Sequence, residues 1–137
     1  MQEAQNTKIV QDAYAAFGRG DIQGVLAQMD ERVTWKPITG ARPHVPHAGE
    51  RHGKAQVSEF FAILGRSMTF DRFEPRDFIA QGNRVVALGY YRGRAIGGKA
   101  FDSEWAMIFT LENGKVVHFQ EFTDSAAINA AFESATV

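Results

Sequence analysis

Glu121 is the residue best suited to chemistry, because it interrupts an apolar strand-like segment near the end of the chain, KVVHFQEFTD. Strand alternation places its side chain on the same face as Phe119. Burying an isolated carboxylate is costly unless it is paired, hydrogen-bonded or protonated, and burial raises its pKa. We therefore predict that Glu121 is a general acid or base with a raised pKa. Alternatively the strand end frays, and Glu121 reaches solvent or pairs with an arginine such as Arg92.

Three histidines, His44, His47 and His52, fall within one proline-containing loop. A metal site is disfavoured there, because no helix or strand fixes the ligand geometry and the chain has no cysteine. Histidines on a lid could instead exchange protons, since their pKa lies near neutrality. The simplest interpretation is that all three are solvated, and we predict no metal and no cofactor.

Other reactive motifs are missing from the sequence. Without cysteine there is no disulfide, thiol nucleophile or thiolate metal site. Ser58, Ser103 and Ser125 have no nucleophile-elbow sequence around them. The pair Gly97 and Gly98 joins two strand-like segments and opens no helix, so it indicates a hairpin turn and not a phosphate loop.

The first half of the chain has helical spacing. It predicts a helix capped by Asn6 or Thr7 and ended by Gly18, with Tyr14 on its buried stripe, followed by a short helix capped by Asp21. The segment VTWKP predicts a strand carrying Trp35, and a third helix spans Lys54 to Leu64 with Phe61 on its apolar face. The long loop ITGARPHVPHAGERHG between strand and helix is typical of a lid.

From Thr69 onward the apolar residues alternate with period two, in four strand-like segments separated by GN, GG and ENG turns. They predict an antiparallel meander, followed by a short helix capped by Asp124 and anchored by Ile128 and Phe132. The expected fold class is α+β, with a curved mixed or antiparallel sheet wrapped around N-terminal helices to form a cone with an apolar pocket.

The two later turns decide which side chains enter that pocket. A two-residue turn at Gly97 and Gly98 pairs Tyr90 with Trp105. For the next hairpin, a two-residue turn would place polar residues opposite the apolar ones, whereas a three-residue turn over 112–114 pairs Met107 with Phe119 and Trp105 with Glu121. We choose the second register, which keeps the apolar residues together.

Eleven Phe, two Trp and three Tyr exceed the needs of a minimal core and are typical of a binding cavity, although an aromatic-rich core is the plainer interpretation. We expect Trp35, Trp105 and Phe119 to share a cavity of roughly a few hundred cubic ångströms. Arg92 would lie at its mouth, facing an anionic or carbonyl oxygen. The predicted ligand-binding residues are Tyr14, Trp35, Phe61, Tyr90, Arg92, Trp105, Met107 and Phe119.

Composition excludes several classes of function. The 137 residues, 45% of them hydrophobic, fit one domain spanning residues 1–137. Fifteen basic and sixteen acidic residues give a net charge of −1 without long charge runs, which argues against nucleic-acid binding. No apolar segment is long enough for a membrane span and no leader-like segment opens the chain, so we expect a cytoplasmic protein with no membrane partner.

Three segments, AYAAFGRGDIQGVLAQMDERVTW, PHAGERHGKAQVSEFF and EWAMIFTLENGKVVHFQEFTD, resemble the SnoaL-like branch of the nuclear-transport-factor-2-like superfamily. The resemblance runs from about Ile9 to Phe132. It implies a cone-shaped α+β fold with a deep pocket, commonly in a dimer, and a superfamily of isomerases, cyclases, hydrolases, dehydratases and non-catalytic members. The homodimer would form through the outer face of the sheet, with Val116, Phe122 and Ile108.

Residue by residue, the resemblance favours one acidic position. The ketosteroid isomerase base would fall at Lys36 and Pro37, and its tyrosine at about Ala13, next to Tyr14. The epoxide hydrolase motif Arg-x-Asp appears here as Arg-Gly-Arg over 92–94. The cyclases' late acidic residue corresponds to Glu121.

The predicted function is therefore proton transfer on a small hydrophobic, carbonyl-bearing or cyclic molecule, as in an isomerase, cyclase or hydrolase. The alternatives are a non-catalytic small-ligand-binding or accessory protein of the same fold and, least favoured, a protein-interaction module.

Overall fold

The structure, a computed structural model, describes residues 2–133. Its helices are α1 (Gln2–Gly18), α2 (Ile22–Leu26), α3 (Lys54–Ser67) and α4 (Ser125–Ala131). The prediction that Asn6 or Thr7 caps α1 is wrong. The helix already begins at Gln2, and the Thr7 hydroxyl donates to the carbonyl of Glu3 four residues earlier, a bond of a residue inside a helix.

Two carboxylates cap the short helices as predicted. Oδ1 of Asp21 accepts from the Gly24 amide at 2.9 Å, and Oδ1 of Asp124 accepts from the Ala127 amide at 3.1 Å. Each satisfies an amide that has no partner within the helix. The second cap starts α4 immediately after the strand that carries Glu121.

Six strands form one sheet: β1 (Met29–Lys36), β2 (Arg51–His52), β3 (Met68–Gln81), β4 (Arg84–Ala95), β5 (Ala100–Glu112) and β6 (Lys115–Thr123). Their order is β2-β1-β6-β5-β4-β3. The pair β1–β6 is parallel and every other neighbouring pair is antiparallel. The predicted meander and the α+β class are confirmed: a curved, unclosed mixed sheet packs its inner face against the helices.

The β4–β5 register differs from the predicted one by a single residue. Ala95 donates its amide to the Lys99 carbonyl at 2.7 Å, closing a three-residue loop, so Gly89 and not Tyr90 lies opposite Trp105. A one-residue shift reverses every side chain of β4. The observed register turns Arg92 to the outer face, where its charge stays hydrated, so its predicted place at the mouth of the pocket is wrong.

The β5–β6 turn also differs from the predicted one, although the prediction that Glu121 faces inward was correct. Glu112 pairs with Lys115 around a two-residue turn, in which Asn113 and Gly114 have φ values of 52° and 76°. An irregularity beside Leu111 then adds one residue to β6. The added residue returns apolar side chains to the inner face. Glu121 lies opposite Met107, and not opposite Trp105 as predicted.

The same irregularity corrects the expected outer face. Val116 is 2% exposed and belongs to the core, so its assignment to the dimer face is wrong. Phe122 remains on the outer face at 42% exposed, and Ile108 is partly exposed there. Across residues 2–133, the structure has no helix with the length and apolarity needed to cross a membrane.

Small residues line the inner face of β4 on both sides of one aromatic. Ala87, Gly89, Gly93 and Ala95 alternate inward around Tyr91. A Cβ on Gly89 would lie 2.3 Å from the Trp105 ring, so the missing side chain is what lets the indole lie against the strand. This leaves the Tyr91 side chain as the one large group that β4 presents between these positions.

Candidate functional site

An apolar cavity of about 90 Å³ lies between the helices and the inner face of the sheet. It is smaller than the few hundred cubic ångströms predicted. Its walls are almost entirely aromatic and aliphatic side chains from every helix and from five of the six strands. The polar side chains among its walls are Tyr14, Gln28, Trp35, His47, Tyr91 and Glu121.

Glu121 is the buried carboxylate of this cavity, with a side chain on the inner face of β6 and 6% exposure. Its Oε2 accepts a hydrogen bond from the Tyr91 hydroxyl at 2.7 Å. Its Oε1 accepts a longer one from the Ile38 amide at 3.4 Å. Burial raises the pKa of Glu121 above its usual 4.5, and the two hydrogen bonds offset only part of that rise.

Tyr91 connects Glu121 to a short series of hydroxyls. Its oxygen lies 2.8 Å from Oγ1 of Thr123, which lies 3.0 Å from Oγ of Ser103. A phenol has one hydrogen, so when Tyr91 donates to an ionised Glu121 it can only accept from Thr123. A protonated Glu121 can reverse these directions. Burial, and then the charge of Glu121, raise the pKa of Tyr91, so the phenol stays neutral and donates.

Ile38, the second residue of the loop after β1, has an unusual backbone conformation. Its φ of 44° lies in the left-handed region, which β-branched residues rarely adopt and which costs about 1–3 kcal/mol. The Ile38 amide donates to Oε1 of Glu121, and the next amide, of Thr39, donates to the Glu121 carbonyl at 3.0 Å. Two consecutive amides of this loop therefore hold the side chain and the backbone of Glu121.

His47 departs from the expectation that all three histidines are solvated. It is 3% exposed and lines the cavity, with its ring centroid 5.4 Å from that of Phe132. Burial, and then the charge of Arg51, lower its pKa to about 4, so the imidazole is neutral at pH 7. His44 and His52 are exposed as expected, and His52 lies 2.8 Å from a carboxylate oxygen of Glu50.

Asn129 of α4 holds the loop that carries His47. Its Oδ1 accepts from the Arg42 amide at 2.8 Å, and its Nδ2 donates to the Gly40 carbonyl at 3.4 Å. The Asn129 carbonyl lies 2.8 Å from Nε2 of His44. These contacts keep the long loop packed over the end of the cavity, where a lid was expected.

Five of the predicted ligand-binding residues line the cavity together with Glu121: Tyr14, Trp35, Phe61, Met107 and Phe119. The Trp35 and Phe119 rings stack with their centroids 3.7 Å apart. The Tyr14 hydroxyl donates to Sδ of Met107 at 3.0 Å. The helices and the sheet therefore meet at these side chains.

The other three predicted residues lie elsewhere. Trp105 is buried but sits behind the cavity wall, with its ring centroid 5.8 Å from that of Tyr14. Tyr90 and Arg92 lie on the outer face because of the register shift. The Tyr90 hydroxyl donates to Asp102 at 3.1 Å, and its ring lies beneath the guanidinium groups of Arg72 and Arg76.

The sequence did not predict three polar residues of the cavity wall, Gln28, Tyr91 and His47. A signal for Tyr91 was present in the run RVVALGYYRGRA, whose arginines at 84, 92 and 94 share one face with Tyr90. Since charged side chains prefer the solvent, that face should have been assigned outward. No comparable signal distinguishes His47 from its two neighbours in the loop. Within residues 2–133, no three His, Asp or Glu side chains are grouped so as to hold a metal ion.

Comparison with known proteins decides the family. The model of the SnoaL-like domain matches residues 10–119. The chain belongs to the SnoaL-like domain family. This membership agrees with the fold, because similar solved structures have the same α+β cone and cover nearly the whole chain.

Two such structures are NTF2-like proteins from Burkholderia. The one from Burkholderia xenovorans LB400 is 32% identical, with 96% of this chain and 98% of that chain covered and a TM-score of 0.85. The one from Burkholderia pseudomallei K96243, described as of unknown function, is 30% identical, with 95% and 98% covered and a TM-score of 0.86.

A third similar solved structure is that of TerC, co-crystallised with polyporic acid. It is 27% identical, with 95% of this chain and 99% of that chain covered and a TM-score of 0.79. No functionally curated protein sequence matches the chain.

Proposed function

We propose that this SnoaL-like protein catalyses proton transfer on a small hydrophobic molecule that is cyclic or carries a carbonyl group. Glu121 acts as the general acid or base. The observation that carries the proposal is a carboxyl group, 6% exposed, in the wall of an apolar cavity. A carboxyl group in such surroundings holds its proton closer to neutral pH than one in water, which suits it to proton transfer.

Tyr91 supports the carboxyl group in this proposal. When Glu121 has given up its proton, the phenol donates at 2.7 Å and stabilises the charge. When Glu121 is protonated, the phenol hydrogen can turn towards Thr123 at 2.8 Å. The pair can therefore serve both halves of an acid–base cycle without any other charged side chain in the cavity.

One similar protein supports a small organic molecule as the class of substrate. TerC, co-crystallised with polyporic acid, provides a relative that accommodates a small organic molecule. In this chain the aromatic side chains of the cavity would pack against a ring system of such a molecule. Proton transfer at a carbon beside a carbonyl needs no group beyond a base and a hydrogen-bond donor.

Deuterium exchange provides the test. Cyclopentanone, a cyclic ketone small enough for this cavity, exchanges the protons beside its carbonyl in D₂O, and ¹H NMR follows their loss. Wild-type protein should accelerate the exchange. In Glu121→Gln the acceleration should be smaller by a factor of at least roughly 100, while the fold is retained. Glu104→Gln, which changes an exposed carboxyl group on the outer face of β5, is the matched control and should leave the rate unchanged.

The second candidate is a non-catalytic binding protein with the same cavity. One observation favours it: both oxygens of Glu121 already accept hydrogen bonds from the protein, from Tyr91 and from Ile38. A carboxyl group satisfied in this way can be purely structural. If cyclopentanone binds in the cavity and wild-type protein gives no exchange above buffer, the binding function replaces the catalytic one.

We also propose that the chain forms a homodimer through the outer face of the sheet. Phe122 is 42% exposed there and pairs across the strands with Ala106, next to the partly exposed Leu88 and Ile108. An apolar stripe of this kind is more stable when a second copy covers it. Charged side chains such as Glu104 and Arg76 border the stripe and would form the polar rim of the interface.

A further inference from the structure

Two ring nitrogens in side chains that line the cavity lack a hydrogen-bond partner. The buried side-chain nitrogens without a partner among residues 2–133 are Asn6 Nδ2, Trp35 Nε1, His47 Nδ1 and Trp105 Nε1. Of these four side chains, Trp35 and His47 line the cavity. An unpaired buried polar atom destabilises a fold, so its retention in a side chain of the cavity wall calls for an explanation.

Both rings are held in place by aromatic packing and not by hydrogen bonds of these nitrogens. They lie on either side of one side chain: the Phe60 ring centroid is 5.8 Å from that of Trp35 and 6.1 Å from that of His47. Trp35 also stacks on Phe119, and His47 contacts Phe132 edge to face. Fixed rings of this kind can present their nitrogens to a ligand without losing side-chain freedom on binding.

The two nitrogens select for a particular ligand chemistry. An indole Nε1–H only donates, whereas a neutral imidazole has one nitrogen that donates and one that accepts. His47 is neutral at pH 7, because burial lowers its pKa to about 4. Neutral groups in an apolar wall complement a neutral oxygen, such as a phenolic hydroxyl or a carbonyl, better than a fully charged group, which would remain poorly solvated.

We propose that His47 and Trp35 form a second polar subsite of the cavity, which binds a phenolic hydroxyl or carbonyl oxygen of an aromatic ligand. This rests on the proposed function in one respect, that the cavity holds a small molecule. The subsite adds to Glu121 and Tyr91 a separate pair of contacts that orients the ligand. His47 is a positioning and specificity-determining residue in this arrangement.

Phenol and toluene test the subsite, because they have nearly the same shape and differ by a hydroxyl in place of a methyl group. Calorimetry measures the Kd of each for wild-type protein and for His47→Phe, which keeps an aromatic ring but removes both nitrogens. We expect the phenol Kd to rise roughly fivefold in the variant and the toluene Kd to stay within about twofold. His47→Gln, which keeps a donor and an acceptor, should retain part of the phenol affinity.

His52→Phe is the matched control, since it makes the same change at an exposed histidine beside the same loop. It should leave both Kd values unchanged. Equal Kd changes for phenol and toluene in His47→Phe, or no change for either, would overturn the subsite while leaving the cavity as a binding site. If wild-type protein binds neither probe, the subsite fails, while the ketone exchange experiment decides the proposed function separately.

A second measurement does not depend on any variant folding. In wild-type protein labelled with ¹⁵N-histidine, phenol should shift the ring nitrogen resonances of His47, and toluene should shift them much less. Equal shifts with the two probes would contradict a hydrogen bond to the ring.

Discussion

The hydroxyl of Tyr91 lies 2.7 Å from Oε2 of Glu121, across a strand that separates them in the sheet. Tyr91 belongs to β4 and Glu121 to β6, and β5 runs between the two. Long side chains on one inner face span this distance because the small residues around Tyr91 leave the space open. The strand registers therefore set the geometry of the site, and a shift of one residue in either hairpin would separate the pair.

Removing the Tyr91 hydroxyl should raise the pKa of Glu121 further. The hydrogen bond from Tyr91 favours the charged carboxylate and so lowers the pKa that burial raises. Tyr91→Phe removes this hydrogen bond, and the effect of burial on the pKa is then less offset. Side-chain ¹³C NMR of labelled glutamate should show a higher pKa for Glu121 than in wild type. Tyr90→Phe, on the outer face, serves as the control and should not change it. A lower or unchanged pKa in Tyr91→Phe would show that the phenol does not stabilise the carboxylate.

Acid should destabilise the protein through His47. Its pKa falls from 6.5 to about 4 on folding, so the unfolded chain binds the proton first as the pH is lowered through this range. The stability that a neutral His47 contributes is complete above pH 6.5 and is lost between there and about 4. Between pH 7 and pH 4, wild type should lose about 3 kcal/mol more free energy of unfolding than His47→Phe.

Urea unfolding at a series of pH values measures this difference. His52→Phe controls for the loss of an exposed histidine. A constant difference between wild type and His47→Phe from pH 7 to pH 4 would mean that His47 titrates normally and is not held in a buried position.

The elements of this fold could be predicted from the sequence because each has a local signal. The period of the apolar residues distinguishes the helices from the strands, and Asp21 and Asp124 identify two helix starts. The start of α1 could not be placed in this way, since Thr7 is a good capping residue that here lies inside the helix.

The site was predicted only in part, because it depends on hairpin registers, which local signals specify weakly. The prediction placed Glu121 on the inner face, where the structure has it. The observed turn is one residue shorter than the predicted one and β6 has one added residue, and together these two differences leave Glu121 on the same face. The prediction placed Tyr91 on the outer face. The observed loop between β4 and β5 is one residue longer than the predicted turn, and no second change offsets this difference. His47 became buried through contacts of the loop with α4, which have no signature in the loop sequence itself.

Gly89 should not tolerate a side chain. In Gly89→Ala the new Cβ would lie 2.3 Å from the Trp105 ring and 2.5 Å from the Glu74 carbonyl oxygen, so the indole or the strand must move. We expect a loss of roughly 1–3 kcal/mol in the free energy of unfolding, measured with urea. Gly65→Ala is the comparison, because a Cβ there meets no atom within 4 Å. Similar stability of the two variants would contradict the close packing of Trp105 on β4.

A charge on the outer face should dissociate the proposed homodimer. Light scattering should give wild type twice the 15.2 kDa mass of one chain, and Phe122→Glu should give the mass of a single chain, because an unpaired carboxylate is costly to bury at an interface. Ile96→Glu changes another exposed apolar residue, in the β4–β5 loop, and should remain dimeric. A monomer mass for wild type at micromolar concentration would remove the dimer from the proposal.

The pKa of Glu121, followed by ¹³C NMR of the labelled side-chain carboxyl in wild-type protein, tests the central proposal most directly. A general acid or base in an apolar cavity requires that burial outweigh the hydrogen bonds from Tyr91 and Ile38. Glu121→Gln identifies the resonance by its disappearance. We predict a pKa for Glu121 clearly above 4.5, whereas a value at or below 4.5 would make Glu121 a structural acceptor and contradict its role in proton transfer.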